Sequence, residues 1–205
     1  MRRLGSVLVL PLVACLPKIA EDSGATDTGD STPAPLVLKS LSAGSWHTCG
    51  LTFEDEVVCW GRDDDGQSTP PDSSLVAVSA GYSHSCGLEA VTQSIVCWGE
   101  LGLQEGESTP SGGAYRQLDV GWNHTCAVDF DDGLQCWGGT QSTEPMVSDL
   151  PTDAVEMVST SGYHACVIES AGDTTCWGYD AHGAASVPDG LVTSWVQTGR
   201  YHSCG

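Results

Sequence analysis

Between residues 36 and 205 the apolar residues come in short runs, interleaved with small polar residues and separated by stretches rich in Gly, Ser, Thr, Pro and Asp. Runs of this length with a two-residue alternation predict strands, and no segment carries a convincing helical period. The strands come in sets. An apolar run is followed by a hairpin in which His47-Thr48-Cys49-Gly50-Leu51 and Val57-Val58-Cys59-Trp60-Gly61 flank the charged turn Glu54-Asp55-Glu56. The leading runs are Leu36-Val37-Leu38, Leu75-Val76-Ala77-Val78, Gln117-Leu118-Asp119-Val120, Val155-Glu156-Met157-Val158 and the stretch from Leu191 to Val196. Each set therefore predicts a sheet of at least three strands.

The set repeats. From His47 the same register recurs at His84, His124, His164 and His202, in steps of 37, 40, 40 and 38 residues. Such a period marks propellers, solenoids and other arrays of one supersecondary unit. Four copies run through to Cys-Trp-Gly (Cys59 to Gly61, Cys97 to Gly99, Cys136 to Gly138, Cys176 to Gly178), and a fifth opens at Gly199 and reaches Cys204-Gly205.

In an antiparallel pair, facing residue numbers have a constant sum. If Cys49 faces Cys59, Leu51 faces Val57, and on the opposite face Thr48 lies beside Trp60 and Gly50 beside Val58. The same arithmetic sets Ser85 beside Trp98, Thr125 beside Trp137 and Ala165 beside Trp177. Each indole thus has a small neighbour, as expected of sheets packed face to face. The cysteines then pair within repeats as Cys49–Cys59, Cys86–Cys97, Cys126–Cys136 and Cys166–Cys176, an oxidised state that a secreted chain permits. Cys204 is left alone.

The beginning of the chain points to secretion. Arg2 and Arg3 precede an apolar run from Val7 to Ala14, shorter than the ~20 residues that span a bilayer. Its end, Leu12-Val13-Ala14-Cys15, resembles the bacterial lipobox. Residues 1–14 are therefore expected to be a lipoprotein signal peptide, with Cys15 lipidated; a plain signal peptide with an incidental cysteine is the alternative. Leu16 follows that cysteine, which by analogy with diderm lipoproteins implies sorting to an outer membrane or cell surface. Residues 15–35, rich in Asp, Gly, Ser, Thr and Pro, read as a disordered tether holding the domain at 36–205 about 25 Å from the membrane.

Charge excludes some partners. The chain has 27 acidic against 7 basic residues and a formal charge of −20, so it repels nucleic acid, and its folded part repels anionic lipid. Acidic turns such as Asp63-Asp64-Asp65 are expected to be solvated.

Candidate chemistry is sparse. Five histidines in one register are expected to bond backbone or a neighbouring sheet, because a catalytic site needs one such residue rather than five. A metal- or anion-binding ring near the axis is the alternative. His182 lies outside the register, in an Asp-Ala-His-Gly loop with no identifiable partner. Asp129-Phe130-Asp131-Asp132-Gly133 has neither the spacing nor the closing glutamate of a calcium loop, and reads as a hairpin turn with glycine at a positive-φ position. Asn123-His124-Thr125 matches a glycosylation sequon inside the repeat core. No cluster of unlike polar residues breaks the register, and no nucleophile elbow, zinc signature or phosphate loop is present. No cofactor and no metal are expected. Trp46, Tyr82, Trp122, Tyr163 and Tyr201 each precede the repeat histidine by one or two residues and form the candidate binding face, with packing between sheets as the alternative.

The pattern Gly-x-x-His-[Ser/Thr]-Cys-[Gly/Ala]-[Leu/Val], followed by Val-Cys-Trp-Gly-x-Asp-x-x-Gly-Gln and clearest from Gly44 to Gln67, resembles the regulator of chromosome condensation repeat over about residues 36 to 205. The resemblance implies an all-β protein, a β-propeller of three- or four-stranded blades. Departures fall at Ser161, in place of the leading glycine, and at Glu105-Gly106-Glu107 and His182-Gly183-Ala184, where the Gly-Gln ending fades. Rings of this kind commonly close with about six or seven blades, so four whole repeats and the start of a fifth predict a truncated propeller. Fold alone does not fix activity, and the resemblance implies a scaffold presenting loops to a partner. The expected function is a non-catalytic, membrane-tethered, extracytoplasmic scaffold of the bacterial cell envelope that binds a protein or glycan. A structural envelope protein without a ligand, and an enzyme or enzyme inhibitor built on a propeller, are the alternatives.

Overall fold

The alternation of apolar and small polar residues folds into antiparallel strands laid side by side in chain order. The computed structural model describes residues 36–100, 112–138 and 150–205; the expected signal peptide, Cys15 and the whole tether lie outside the described residues. The first repeat forms β1 (Leu38–Ala43), β2 (His47–Thr52) and β3 (Val57–Gly61). The second forms β4 (Leu75–Ala80), β5 (His84–Glu89) and β6 (Ile95–Gly99). The third forms β7 (Tyr115–Val120), β8 (His124–Asp129) and β9 (Leu134–Gly138), and the fourth β10 (Val155–Thr160), β11 (His164–Glu169) and β12 (Thr174–Gly178). Each is a three-stranded sheet in sequence order, and a two-stranded sheet of β13 (Gln197–Thr198) and β14 (Ser203–Cys204) begins a fifth. Among the described residues there is no helix. The chain is an all-β propeller of four three-stranded blades and part of a fifth.

The hairpin register is the one that the constant-sum argument predicts. Cys49 faces Cys59 and Thr48 faces Trp60, with Ser85, Thr125 and Ala165 opposite Trp98, Trp137 and Trp177. All four disulfides form within their hairpins, and Cys204 is free and exposed.

Blades pack by apposing two unlike faces. The cystine face of one blade, with Cys49, Leu51, Val57 and Cys59, meets Leu75, Val78, Ala80 and Trp98 of the next. Cys86, Leu88 and Ile95 likewise meet Tyr115, Leu118, Val120 and Trp137, and Cys126 and Val128 meet Val155, Val158 and Trp177. The core is thus a series of layers between blades. The small residue beside each indole keeps its sheet flat enough for the neighbouring cystine to close on it.

The leading strands β1, β4, β7, β10 and β13 surround a central cavity of about 790 Å3. From β4 onward each leading strand is tied to the blade before it by a side chain that takes one of its amides. Ser42 Oγ accepts from the Ala80 amide (2.9 Å), Ser79 Oγ from Val120 (3.1 Å), Asp119 Oδ2 from Thr160 (2.8 Å) and Ser159 Oγ from Thr198 (3.1 Å). Capping of this sort protects an edge strand from pairing with another chain.

The glycine of each Cys-Trp-Gly lies at positive φ (113° at Gly61, 96° at Gly99, 97° at Gly138 and 108° at Gly178). At Gly99 a Cβ would stand 2.6 Å from the Ser83 carbonyl oxygen. The motif ends in glycine because the outer strand must turn there against the entry to the middle strand.

Three expectations are corrected. The leading strand of the first blade begins at Leu38 rather than Leu36 and runs on to Ala43; Leu36 and Val37 are exposed, and the apolar run marked only its start. The stretch from Leu191 to Val196 is not a strand: Val192 and Trp195 are exposed, only Val196 packs on the fourth blade, and pairing starts at Gln197. In the third hairpin turn the positive φ (63°) belongs to Asp132 and not to Gly133. Gly133 donates its amide to Asp129 Oδ1 at 2.8 Å, and its position is held by Glu56 and Asp173 in the equivalent turns of the first and fourth hairpins.

The described departures from the repeat keep its geometry. Ser161 N donates to His164 O (3.2 Å), as Gly81 N does to His84 O (2.9 Å). Gly183 repeats the positive φ of Gly66 (73° and 78°), and the carbonyl of Ala184 accepts from Ser203 Oγ (3.0 Å) as that of Gln67 does from Ser85 Oγ (3.2 Å). The main chain makes that contact, so the side chain there is free to change. Residues 105–107 lie outside the described residues.

Candidate functional site

Each blade enters its middle strand through a tight turn in which the leading residue's amide bonds the carbonyl of the repeat histidine, at 2.8–3.2 Å in all five copies. Its fixed geometry puts the residues between at one mouth of the cavity, which Trp46, Tyr82, Trp122 and Arg200 all line. At the leading positions the backbones nearly touch: a Cβ on Gly81 would lie 2.4 Å from Gly121 O, and one on Gly121 2.4 Å from Ser161 O.

Four of the five sequence-predicted aromatics form a continuous arc. Tyr82 and Trp122 have ring centroids 4.9 Å apart, Trp122 and Tyr163 5.0 Å in an edge contact, and Tyr163 and Tyr201 5.9 Å in a stack. These rings pack from blade to blade and still keep area open. Tyr82, Trp122 and Tyr163 are half-buried, and Tyr201 is 43% exposed. Trp46 is 60% exposed and has no ring contact with the arc among the described residues. Packing and presentation to solvent are therefore divided among the five positions.

Three members of the site escape the sequence argument. Arg200 lies with its guanidinium carbon 4.8 Å from the Trp122 ring centroid, 5.1 Å from Tyr201 and 5.9 Å from Tyr163. Its stem runs beside Gly162, where an added Cβ would lie 3.4 Å from Arg200 Cγ, in ordinary contact. The other two are Tyr179 and His182: His182 packs edge-on against Tyr201 (5.5 Å) and Tyr179 (6.3 Å), and Tyr179 lies 6.0 Å from Tyr163. His182 thus has partners, contrary to expectation. One signal in the sequence could have found Arg200. The turn position it occupies holds Ser45, Tyr82, Trp122 and Gly162 in the other copies, so it is the one charge in that register.

The register histidines are tied to the next blade. His47 Nε2 pairs with Ser85 Oγ at 2.7 Å, His84 Nε2 with Thr125 Oγ1 at 3.1 Å and His164 Nε2 with Ser203 Oγ at 2.7 Å. His124 would meet Ala165 in that register, and pairs instead with Thr160, which faces Ala165 across the sheet. Burial lowers the pKa of all four, to about 4 for His84 and about 3 for His124. They are neutral at pH 7 and act as bolts between blades.

Asp119 is a second break in register, standing where Ser42, Ser79 and Ser159 stand. Its Oδ1 accepts from Ser79 Oγ (2.8 Å) and the Val120 amide (3.1 Å), and its Oδ2 from the Thr160 amide (2.8 Å) and Ser159 Oγ (3.2 Å). Burial pushes its pKa up and these hydrogen bonds pull it back. The carboxylate joins the second, third and fourth blades, and all its described donors are structural. Among the described residues no three His, Cys, Asp or Glu side chains converge to hold a metal ion.

Comparison with known proteins agrees with this architecture. Residues 38–67 and 115–142 match the regulator of chromosome condensation (RCC1) repeat. In three dimensions the chain is similar to the ectodomain of the Physcomitrella patens receptor kinase CR4 (TM-score 0.72, 24% identity, 84% of this chain and 50% of that one). It is also similar to the CRINKLY WD40 ectodomain of the Arabidopsis thaliana receptor kinase ACR4 (TM-score 0.60, 24% identity, 69% and 50%). A third similar structure is yeast RCC1 (Prp20), crystallised with Kap60 (TM-score 0.66, 14% identity, 84% and 54%). The chain spans about half the length of these structures. No curated protein matches it in sequence.

Proposed function

We propose that this chain is a non-catalytic binding scaffold, tethered by lipid on Cys15 to the outer face of a bacterial membrane, and that the aromatic mouth of its propeller docks a protein or glycan. The observation that carries this reading is the arc from Tyr82 to Tyr201. Its rings are held by contact with one another and keep part of their area open to solvent, and Tyr82 and Trp122 line a cavity of about 790 Å3. Rigid aromatics lose little entropy on binding, which favours them at contact centres. The non-catalytic reading is supported by the register: the Nε2 atoms of His47, His84, His124 and His164 and the carboxylate of Asp119 are hydrogen-bonded to neighbouring blades. A protein partner is in keeping with yeast RCC1 (Prp20), a protein of similar fold that has been crystallised bound to Kap60.

Pull-down with the tethered domain from envelope extract, followed by mass spectrometry, identifies the partner. Capture by the wild type that is lost with Trp46→Ala supports the reading; capture independent of Trp46 and Trp122 contradicts it. Tethering has its own test. The wild type should partition into detergent, and Cys15→Ser should remain uncleaved by the lipoprotein peptidase, whereas a soluble wild type would remove the anchor from the account.

A further inference from the structure

We infer that Arg200 and the rings around it bind a carboxylate carried on a sugar ring, so that the mouth takes the uronic-acid residues of an acidic glycan. This rests on the reading of the mouth as a binding face. Three of the four described cations are spent on carboxylates: Lys39 on Asp55, Arg62 on Asp64 (2.8 Å) and Asp65 (3.5 Å), and Arg116 on Asp132 (2.9 Å). Arg200 has no carboxylate partner among the described residues. In a chain with 27 acidic and 7 basic residues, such an exposed guanidinium is a site in want of an anion.

Its surroundings aim it. Cation–π contact with Trp122 and Tyr201 and hydrogen bonding to the side chains of Tyr163 and Tyr201 hold the guanidinium at the mouth, and its five N–H donors are more than those two bonds use. The C–H face of a pyranose carries partial positive charge and matches the aromatic area that stays open beside Arg200, most of it on Tyr201, which is 43% exposed. Carboxylate and stacking surface thus lie within one sugar residue's reach. The chain's overall negative field is screened beyond about 8 Å at physiological ionic strength, and the groups that act on Arg200 are side chains of Tyr163 and Tyr201, hydrogen bonding to Tyr163 first, rather than acids.

Two features favour a glycan over an acidic peptide. Extended peptides dock by adding a strand to an open edge, and here the Ala80, Val120, Thr160 and Thr198 amides of the inner edges are already taken by neighbouring blades. Helical peptides need an apolar groove, whereas Ser42, Gln117, Asp119, Ser159 and Gln197 line this cavity with hydroxyl, amide and carboxylate groups.

The test is calorimetric titration of the folded full chain with trigalacturonate, neutral galactotriose and a triglutamate peptide. The inference expects trigalacturonate to bind at least tenfold tighter than either control. Arg200→Gln should bring it to the level of the neutral sugar, Arg200→Lys should restore only part of the difference, and all three proteins should melt together. Equal binding of the two sugars, tighter binding of the peptide, indifference to Arg200→Gln, or no sugar binding would each overturn it. If no sugar binds while capture of a partner still depends on Trp46, this inference alone falls; if capture is also independent of Trp46, the binding-face reading falls with it.

Discussion

His124 on β8 reaches the hydroxyl of Thr160 on the next blade, where its counterparts His47 and His84 reach Ser85 and Thr125. Ala165 has removed the hydroxyl from the usual place, and Thr160, its cross-strand neighbour, supplies one. The interaction between blades has been kept while the hydroxyl moved to another strand.

Thr160→Val should therefore leave a buried imidazole without a partner, at a cost of about 1–3 kcal/mol. Thr160→Val combined with Ala165→Ser should recover most of that by restoring the usual register. Urea denaturation of the two singles and the double measures it, and a double variant no more stable than Thr160→Val would show that the hydroxyls are not interchangeable.

The same histidines make the propeller acid-labile. The unfolded chain takes up protons near pH 6.5, whereas His84 and His124 in the folded state do so only near 4 and 3. Their contribution is present in full above pH 6.5 and is lost progressively as the pH falls through the folded values, by about 2 kcal/mol each at pH 5. Asp119 acts with the opposite sign, because its raised pKa favours the folded state at low pH and that benefit fades as the pH rises through its folded value. Unfolding midpoints at pH 7.5, 6 and 5 should fall, and His124→Gln should flatten the curve; a flat wild-type curve contradicts burial of neutral imidazoles.

Much of the frame was legible in the sequence. Two-residue alternation and paired cysteines determine the hairpin register, since a slip by one would turn Cys49 and Cys59 to the wrong face. The leading strands were legible only as apolar runs. Their remaining residues are polar where they face the cavity or cap the next blade, as Ser42 of β1 does, so hydropathy loses them. The partners of the histidines lie 36–41 residues away, where no local pattern reaches. Arg200 and His182 gain meaning only when the third, fourth and fifth copies come together at the mouth.

Asp119 uses both oxygens as acceptors, so Asp119→Asn puts an amide N–H against donors and should cost about 1–3 kcal/mol. Asp119→Ser adopts the residue of the other blades and should cost less. Thermal melts rank the two; the reverse order would mean that shape rather than acceptor count holds the carboxylate.

Gly81→Ala should destabilise by about 1–3 kcal/mol, since its Cβ would stand 2.4 Å from Gly121 O and 2.6 Å from Val120 Cγ1. Ser161→Gly, at the same turn position, should cost about 1 kcal/mol, the worth of its hydrogen bond to Gly199 O. Denaturation midpoints decide, and equal effects would mean that the turn relaxes freely.

Each disulfide closes a hairpin of about ten residues, for which chain entropy gives up to about 2.7 kcal/mol. Non-reducing peptide mapping should recover Cys49–Cys59, Cys86–Cys97, Cys126–Cys136 and Cys166–Cys176, with Cys204 labelled by a thiol reagent in the folded protein. Labelling of Cys49 or Cys59 before reduction would show the pairing to be wrong.

The central claim is that the aromatic mouth binds and the blades only hold it in shape. Trp46 is the cleanest probe, because it is 60% exposed and stands apart from the arc, whereas Trp122 also packs on Tyr82, Tyr163 and Arg200. The direct measurement is the affinity of the captured partner for Trp46→Ala, taken beside its thermal melt. The account predicts an unchanged melting temperature and affinity weakened by about 2 kcal/mol or more; unchanged affinity in a fully folded variant would contradict it.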